Sequence, residues 1–74
     1  MQNINENTKT SRSQTDLILE WMLAGHTITP LEALERFKCF RLGARIADIK
    51  ARGYLVYSEF VTGDNGKKFK KYYL

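Results

Sequence analysis

Apolar residues begin to recur only after a polar N-terminal stretch. Residues 1–10, MQNINENTKT, hold Met1 and Ile4 as their apolar members and show no periodicity. They bury too little surface to offset the entropy of ordering and are expected to form a disordered polar tail, with the folded domain over 11–74. The next segment is the opposite: from Leu17 to Ala24 only Glu20 is polar. Ser11 or Ser13 offers an N-cap, Gln14 or Asp16 three residues on completes a capping box, and Gly25 can take the positive φ of a helix end. The pattern predicts a helix over 12–24. It lacks the single apolar stripe of an ordinary surface helix. Leu17, Trp21 and Ala24 make one face with Ile18 and Met22 at its edge, while Leu19 and Leu23 form a separate i, i+4 pair. Either the helix is wrapped on nearly all sides, or Leu19 and Leu23 meet a partner.

Thr29-Pro30-Leu31-Glu32 predicts a second helix over 30–37. Threonine caps, proline takes the first helical position where its missing N–H costs nothing, and Glu32 reaches back to the cap N–H. Leu31, Leu34 and Phe37 are its apolar members, and Ala33 lets a neighbour pack close. Lys38, Cys39 and Phe40 break the pattern. It resumes over 41–52 with Leu42, Ile46 and Ile49 at i, i+4, i+7, and Gly53 stops it. Two β-prone runs, 54–62 and 67–74, flank Gly63-Asp64-Asn65-Gly66 and predict an antiparallel hairpin.

Helix, helix, short turn, helix and hairpin is the order of an α+β winged helix-turn-helix, in which the helix before the hairpin enters the DNA major groove and the hairpin touches backbone or minor groove. The charges agree with that geometry. Residues 1–35 hold two cations against five acids, and residues 36–74 hold ten cations against three acids. A one-sided positive field marks a polyanion-binding surface, although lysines also serve as solvated surface. On the third helix Arg41, Arg45 and Arg52 share one flank with Asp48, and Lys50 lies on the other. Arg45–Asp48 and Asp48–Arg52 have the spacing of plain surface ion pairs, a reading that leaves Arg41 unexplained. The outward centre is Ala44, Ala47 and Ala51 with Gly43 at its edge. Small residues there either let the helix approach a groove closely or simply favour helix formation; for Ala47 and Ala51 helix formation is the better account, and for Gly43, a poor helix former, close approach is.

The hairpin adds Lys67, Lys68, Lys70 and Lys71. Alternation puts Lys68 and Lys70 on one face with Tyr72 and Leu74, and Lys67, Phe69, Lys71 and Tyr73 on the other. These lysines either guard a strand edge or contact phosphates. The expected nucleic-acid-binding set is therefore Lys38, Arg41, Gly43, Ala44, Arg45, Lys50, Arg52, Lys67, Lys68, Lys70 and Lys71.

The chain has 74 residues and a net charge of +4. One small domain is expected, with neither an apolar run long enough to span a membrane nor a secretory leader. A cytoplasmic location is expected. A lone cysteine, Cys39, and a lone histidine, His26, are too few for a disulfide or a zinc site. Cys39 reads as a partly buried turn residue and His26 as a solvent-facing or capping one. With no phosphate-binding glycine loop or nucleophile elbow, neither an enzyme nor a cofactor is expected.

The residues Ile28-Thr29-Pro30-Leu31-Glu32-Ala33-Leu34, Phe37, Phe40-Arg41-Leu42-Gly43-Ala44-Arg45-Ile46-Ala47-Asp48-Ile49, Gly53-Tyr54, Tyr72 and Leu74 carry a likeness. Over everything but the tail, the chain resembles a family of small phage and prophage winged helix-turn-helix proteins. The resemblance implies double-stranded DNA binding in a transcriptional or phage life-cycle role, and carries over onto Arg41 and Arg45. If a phage encodes the chain, the expected location is the host cytoplasm or nucleoid. The competing expectation is a protein-interaction module whose basic face docks on an acidic surface of a host protein. Leu19 and Leu23 are the candidate interface of a homodimer, unless the hairpin's aromatic face covers them in a monomer.

Overall fold

The computed structural model describes residues 13–74, so the expected tail over 1–10 and the alternative cap Ser11 lie outside the described residues. Helix α1 spans Gln14–Leu23. Ser13 caps it: its hydroxyl accepts from the Asp16 N–H at 3.1 Å, and Asp16 accepts from the Ser13 N–H at 3.2 Å. Gly25, at φ +98°, follows its end.

The buried face of α1 is Thr15, Ile18, Leu19 and Met22. This corrects the expected faces. The core sector is centred on Ile18 and Met22 rather than on Leu17 and Trp21, and Leu19 belongs to it at 8% exposure, whereas Leu23 is 56% exposed. The pair does not form one exposed patch, so the candidate dimer interface loses Leu19 to the chain's own core. Leu19 sits on the margin of the core sector, and the one further turn-step to Leu23 carries that side chain about 40° into solvent. Trp21 instead packs on the flank: its indole N–H donates to the Thr27 carbonyl at 2.9 Å. The His26 ring stacks on it at 3.8 Å, and Arg36 lies 4.5 Å from its centroid.

Helix α2 spans Pro30–Phe37 with the anticipated box, Thr29 Oγ1 accepting from the Glu32 N–H at 3.2 Å and Glu32 Oε1 from the Thr29 N–H at 3.0 Å. Ala33 is buried, and Leu34 and Phe37 are half-buried. Leu31 is 62% exposed, because it lies across the helix from Ala33. The helix ends on Lys38 in the left-handed region, φ 56°. The Gln14 side-chain amide donates to the carbonyls of Phe37 and Lys38 at 3.2 and 3.1 Å, so α1 satisfies acceptors that the end of α2 leaves open. Cys39, buried in the turn, donates its N–H to Ala33.

Helix α3 spans Leu42–Ala51 and buries Leu42, Ile46 and Ile49 as its periodicity predicted. The hairpin pairs β1, Tyr57–Thr62, with β2, Lys68–Tyr73, antiparallel from Tyr57↔Tyr73 to Thr62↔Lys68. Residues 54–56 remain outside the strand. The free edge of β2 is partnered as well: Ile28 and Tyr72 exchange two backbone hydrogen bonds, 3.0 and 2.8 Å, which fastens the loop before α2 to the hairpin. The core gathers Ile18, Leu19, Met22, Ile28, Ala33, Cys39, Leu42, Ile46 and Ile49, closed by Val56, Tyr72 and Leu74 among others. Each fully buried aliphatic contributes about 1.5–3 kcal/mol against ordering entropy.

Candidate nucleic-acid interface

The three apolar residues of α3 face the core, which decides where its other side chains go. The flank carrying Arg45, Asp48 and Arg52 turns toward α1. Asp48 Oδ2 accepts from the Thr15 hydroxyl and from Arg45 Nε, each at 3.1 Å. Arg52 reaches Asp16 Oδ1 at 2.7 Å. The expected Asp48–Arg52 pair is therefore replaced: Asp48 bonds α1 and Arg45, and Arg52 bonds Asp16, the capping-box acid of α1. The Arg52 guanidinium, with further bonds from Ser13, holds the Asp16 carboxyl below the usual carboxylate range. Arg52 thus ties α3 to α1, and Arg45 is half-buried against its own acid.

Arg41 stands at the N-cap of α3, exposed, with no side-chain capping bond. Lys50 is exposed on the opposite flank and Lys38 at the end of α2. None of the three has an ionic partner among the described residues. Gly43, Ala47 and Ala51 are exposed between the flanks, and Ala44 is half-buried. A side chain added at Gly43 would meet open space, so the fold itself does not demand glycine there.

On the hairpin, Lys71 pairs across the strands with Glu59 at 3.3 Å and is half-buried. Lys67 and Lys68 are exposed without an ionic partner among the described residues. Lys70 lies over its cross-strand neighbour Phe60, 5.6 Å from the ring centroid. The sites bonded internally are thus Arg45, Arg52 and Lys71, and the cations left to solvent are Lys38, Arg41, Lys50, Lys67, Lys68 and Lys70. Phe40 and Phe60 are exposed aromatics beside exposed cations, Phe40 next to Arg41 in sequence and Phe60 opposite Lys70 in the hairpin.

A groove of about 790 Å³ lies between the start of α2 and the hairpin, lined by Thr29, Leu31, Val61, Phe69 and the candidate cations Lys67, Lys68 and Lys71 among others, and by no residue of α3. Among the described residues, no three His, Cys, Asp or Glu side chains gather to hold a metal. No helix there is long and apolar enough to cross a membrane.

Three helices, a left-handed turn between the second and third, and a basic hairpin fastened beside them define a winged helix-turn-helix. A family model described as a winged helix-turn-helix domain matches residues 13–74, and the chain belongs to that family. No curated protein and no solved structure matches it.

Proposed function

We propose that this chain is a sequence-preferring binder of double-stranded DNA, a cytoplasmic transcriptional regulator encoded by a phage or prophage rather than an enzyme. Helix α3 enters the major groove, and the hairpin lies on the backbone. The observation that carries this reading is the division of cations: the acids of the chain take Arg45, Arg52 and Lys71, while Arg41 and Lys50 flank the outward face of α3 unpaired among the described residues. Charges that exist to tie helices together are bonded inside the fold; the remainder fit phosphates. Arg41, at the end of α3 that usually approaches bases, is the leading contact, and Arg45 joins it by exchanging Asp48 for the nucleic acid. Lys68 and Lys70 follow the backbone from the wing.

A salt series with random duplex DNA tests the proposal. Each phosphate contact adds about −0.9 to the slope of log affinity against log salt. Four to six of the exposed cations therefore give a slope of roughly −4 to −5. Absence of binding at low salt, together with capture of an acidic protein by the same face, would move the function to protein docking.

A further inference from the structure

The outward face of α3 is built from side chains that cannot hydrogen-bond. Gly43, Ala44, Ala47 and Ala51 fall in one sector, about 100–200° around the helix from Leu42. The donor-bearing side chains stand beside that sector and not within it: Arg45 bonded to Asp48, Arg52 bonded to Asp16, Arg41 and Lys50 at its two edges. Immediately before the helix, Phe40 is 84% exposed. This aromatic ring, left in water two residues before the helix begins, does not contribute to the core, which closes without it.

Resting on the DNA reading, we infer that this strip recognises the C5-methyl groups of thymine, so that preferred duplexes carry A·T pairs where α3 docks. The thymine methyl is the apolar feature of the major-groove edge, and alanine and phenylalanine are among the side chains that contact it. Short side chains also let the helix backbone come close to the groove floor. There, the open space beyond Gly43 leaves room for a base edge. At that position cytosine carries only a C5 hydrogen, so a G·C pair beneath the strip forfeits the methyl contact and is disfavoured.

The test starts from the duplex most enriched by wild-type chain from a random pool, with each thymine then replaced singly by uracil, which removes the methyl and keeps the pairing. Under α3, each replacement is expected to weaken binding about fourfold, the value of one buried methyl. Replacements elsewhere leave affinity unchanged. Ala47→Gly and Phe40→Ala are expected to bind with reduced discrimination between thymine and uracil. Equal affinity for all uracil duplexes overturns the inference while leaving DNA binding intact, as does an enriched site without A·T pairs. Sensitivity that persists undiminished in both variants overturns its assignment to this strip. If no duplex binds at low salt, the DNA reading itself fails. The uracil scan uses the wild-type chain, so its outcome does not depend on a variant folding.

Discussion

Replacing Asp48 by alanine separates the two jobs of the α3 flank. The carboxylate accepts from the hydroxyl of Thr15, which is only 5% exposed, and from Arg45. Leaving a buried hydroxyl without its acceptor costs about 1–3 kcal/mol, and the half-exposed position of Asp48 admits water and favours the low end. The Arg45 pair is exposed enough to contribute only a few tenths, about 0.2–0.5 kcal/mol. The expected loss is thus about 1–2 kcal/mol, or a fall in melting temperature of roughly 4–8 °C per kcal/mol for a domain of this size. Urea denaturation followed by circular dichroism measures it. Thr15→Val in the same background removes the other partner, so the double variant should lose less than the two singles together. DNA affinity should move the opposite way. An acid leaves the proposed binding face and Arg45 is released, so the salt slope steepens by about one. Unchanged stability would deny the Thr15–Asp48 bond, and weaker DNA binding by a folded variant would deny that the flank faces the nucleic acid.

Three shorter predictions accompany it. Leu19→Glu should unfold the chain or cost more than about 3 kcal/mol, because it buries a carboxylate, while Leu23→Glu should stay within about 0.5 kcal/mol; similar melting curves for both would contradict the assignment of Leu19 to the core. Asp16 has its folded pKa depressed by Arg52 and Ser13, so its contribution is present above the usual carboxylate range and is lost as pH falls through the folded value. Asp16→Asn should therefore flatten the acid limb of a melting-temperature profile, and parallel limbs for wild type and variant would refute this. Arg41→Ala should weaken DNA binding more than Arg45→Ala, whose side chain is held by Asp48, and Lys68→Ala or Lys70→Ala should weaken all sequences alike. Filter binding across several duplexes decides it, and equal losses for both arginines would count against the division of cations.

Local chemistry was readable from the chain and tertiary geometry was not. The Thr29/Glu32 box and the Leu42, Ile46, Ile49 triad are short-range signals, and both appear as expected. The phase of α1 was hidden because a helix apolar on nearly every side has no stripe to orient it; the contacts that α3 makes with Thr15 and Asp16 settle which side is inward. Lys38 takes a left-handed conformation with no glycine to announce it. The bridge from Ile28 to Tyr72 joins segments far apart in sequence, and Thr27-Ile28-Thr29 carries only a brief β-branched hint of it. At the candidate interface the cations and the Arg45–Asp48 pair were legible from charge and helical spacing. The engagement of Arg52 and Lys71 was not, because their partners Asp16 and Glu59 lie in other elements.

Whether α3 and the wing together meet the DNA can be read from backbone amide chemical shifts recorded as duplex DNA is titrated into the folded chain. The largest changes are expected on residues 40–51 and on Lys68 and Lys70 of the wing, with Leu31 and Val61, which line the groove beside the start of α2, unmoved. Changes centred on that groove, with α3 silent, would contradict the proposed mode of binding.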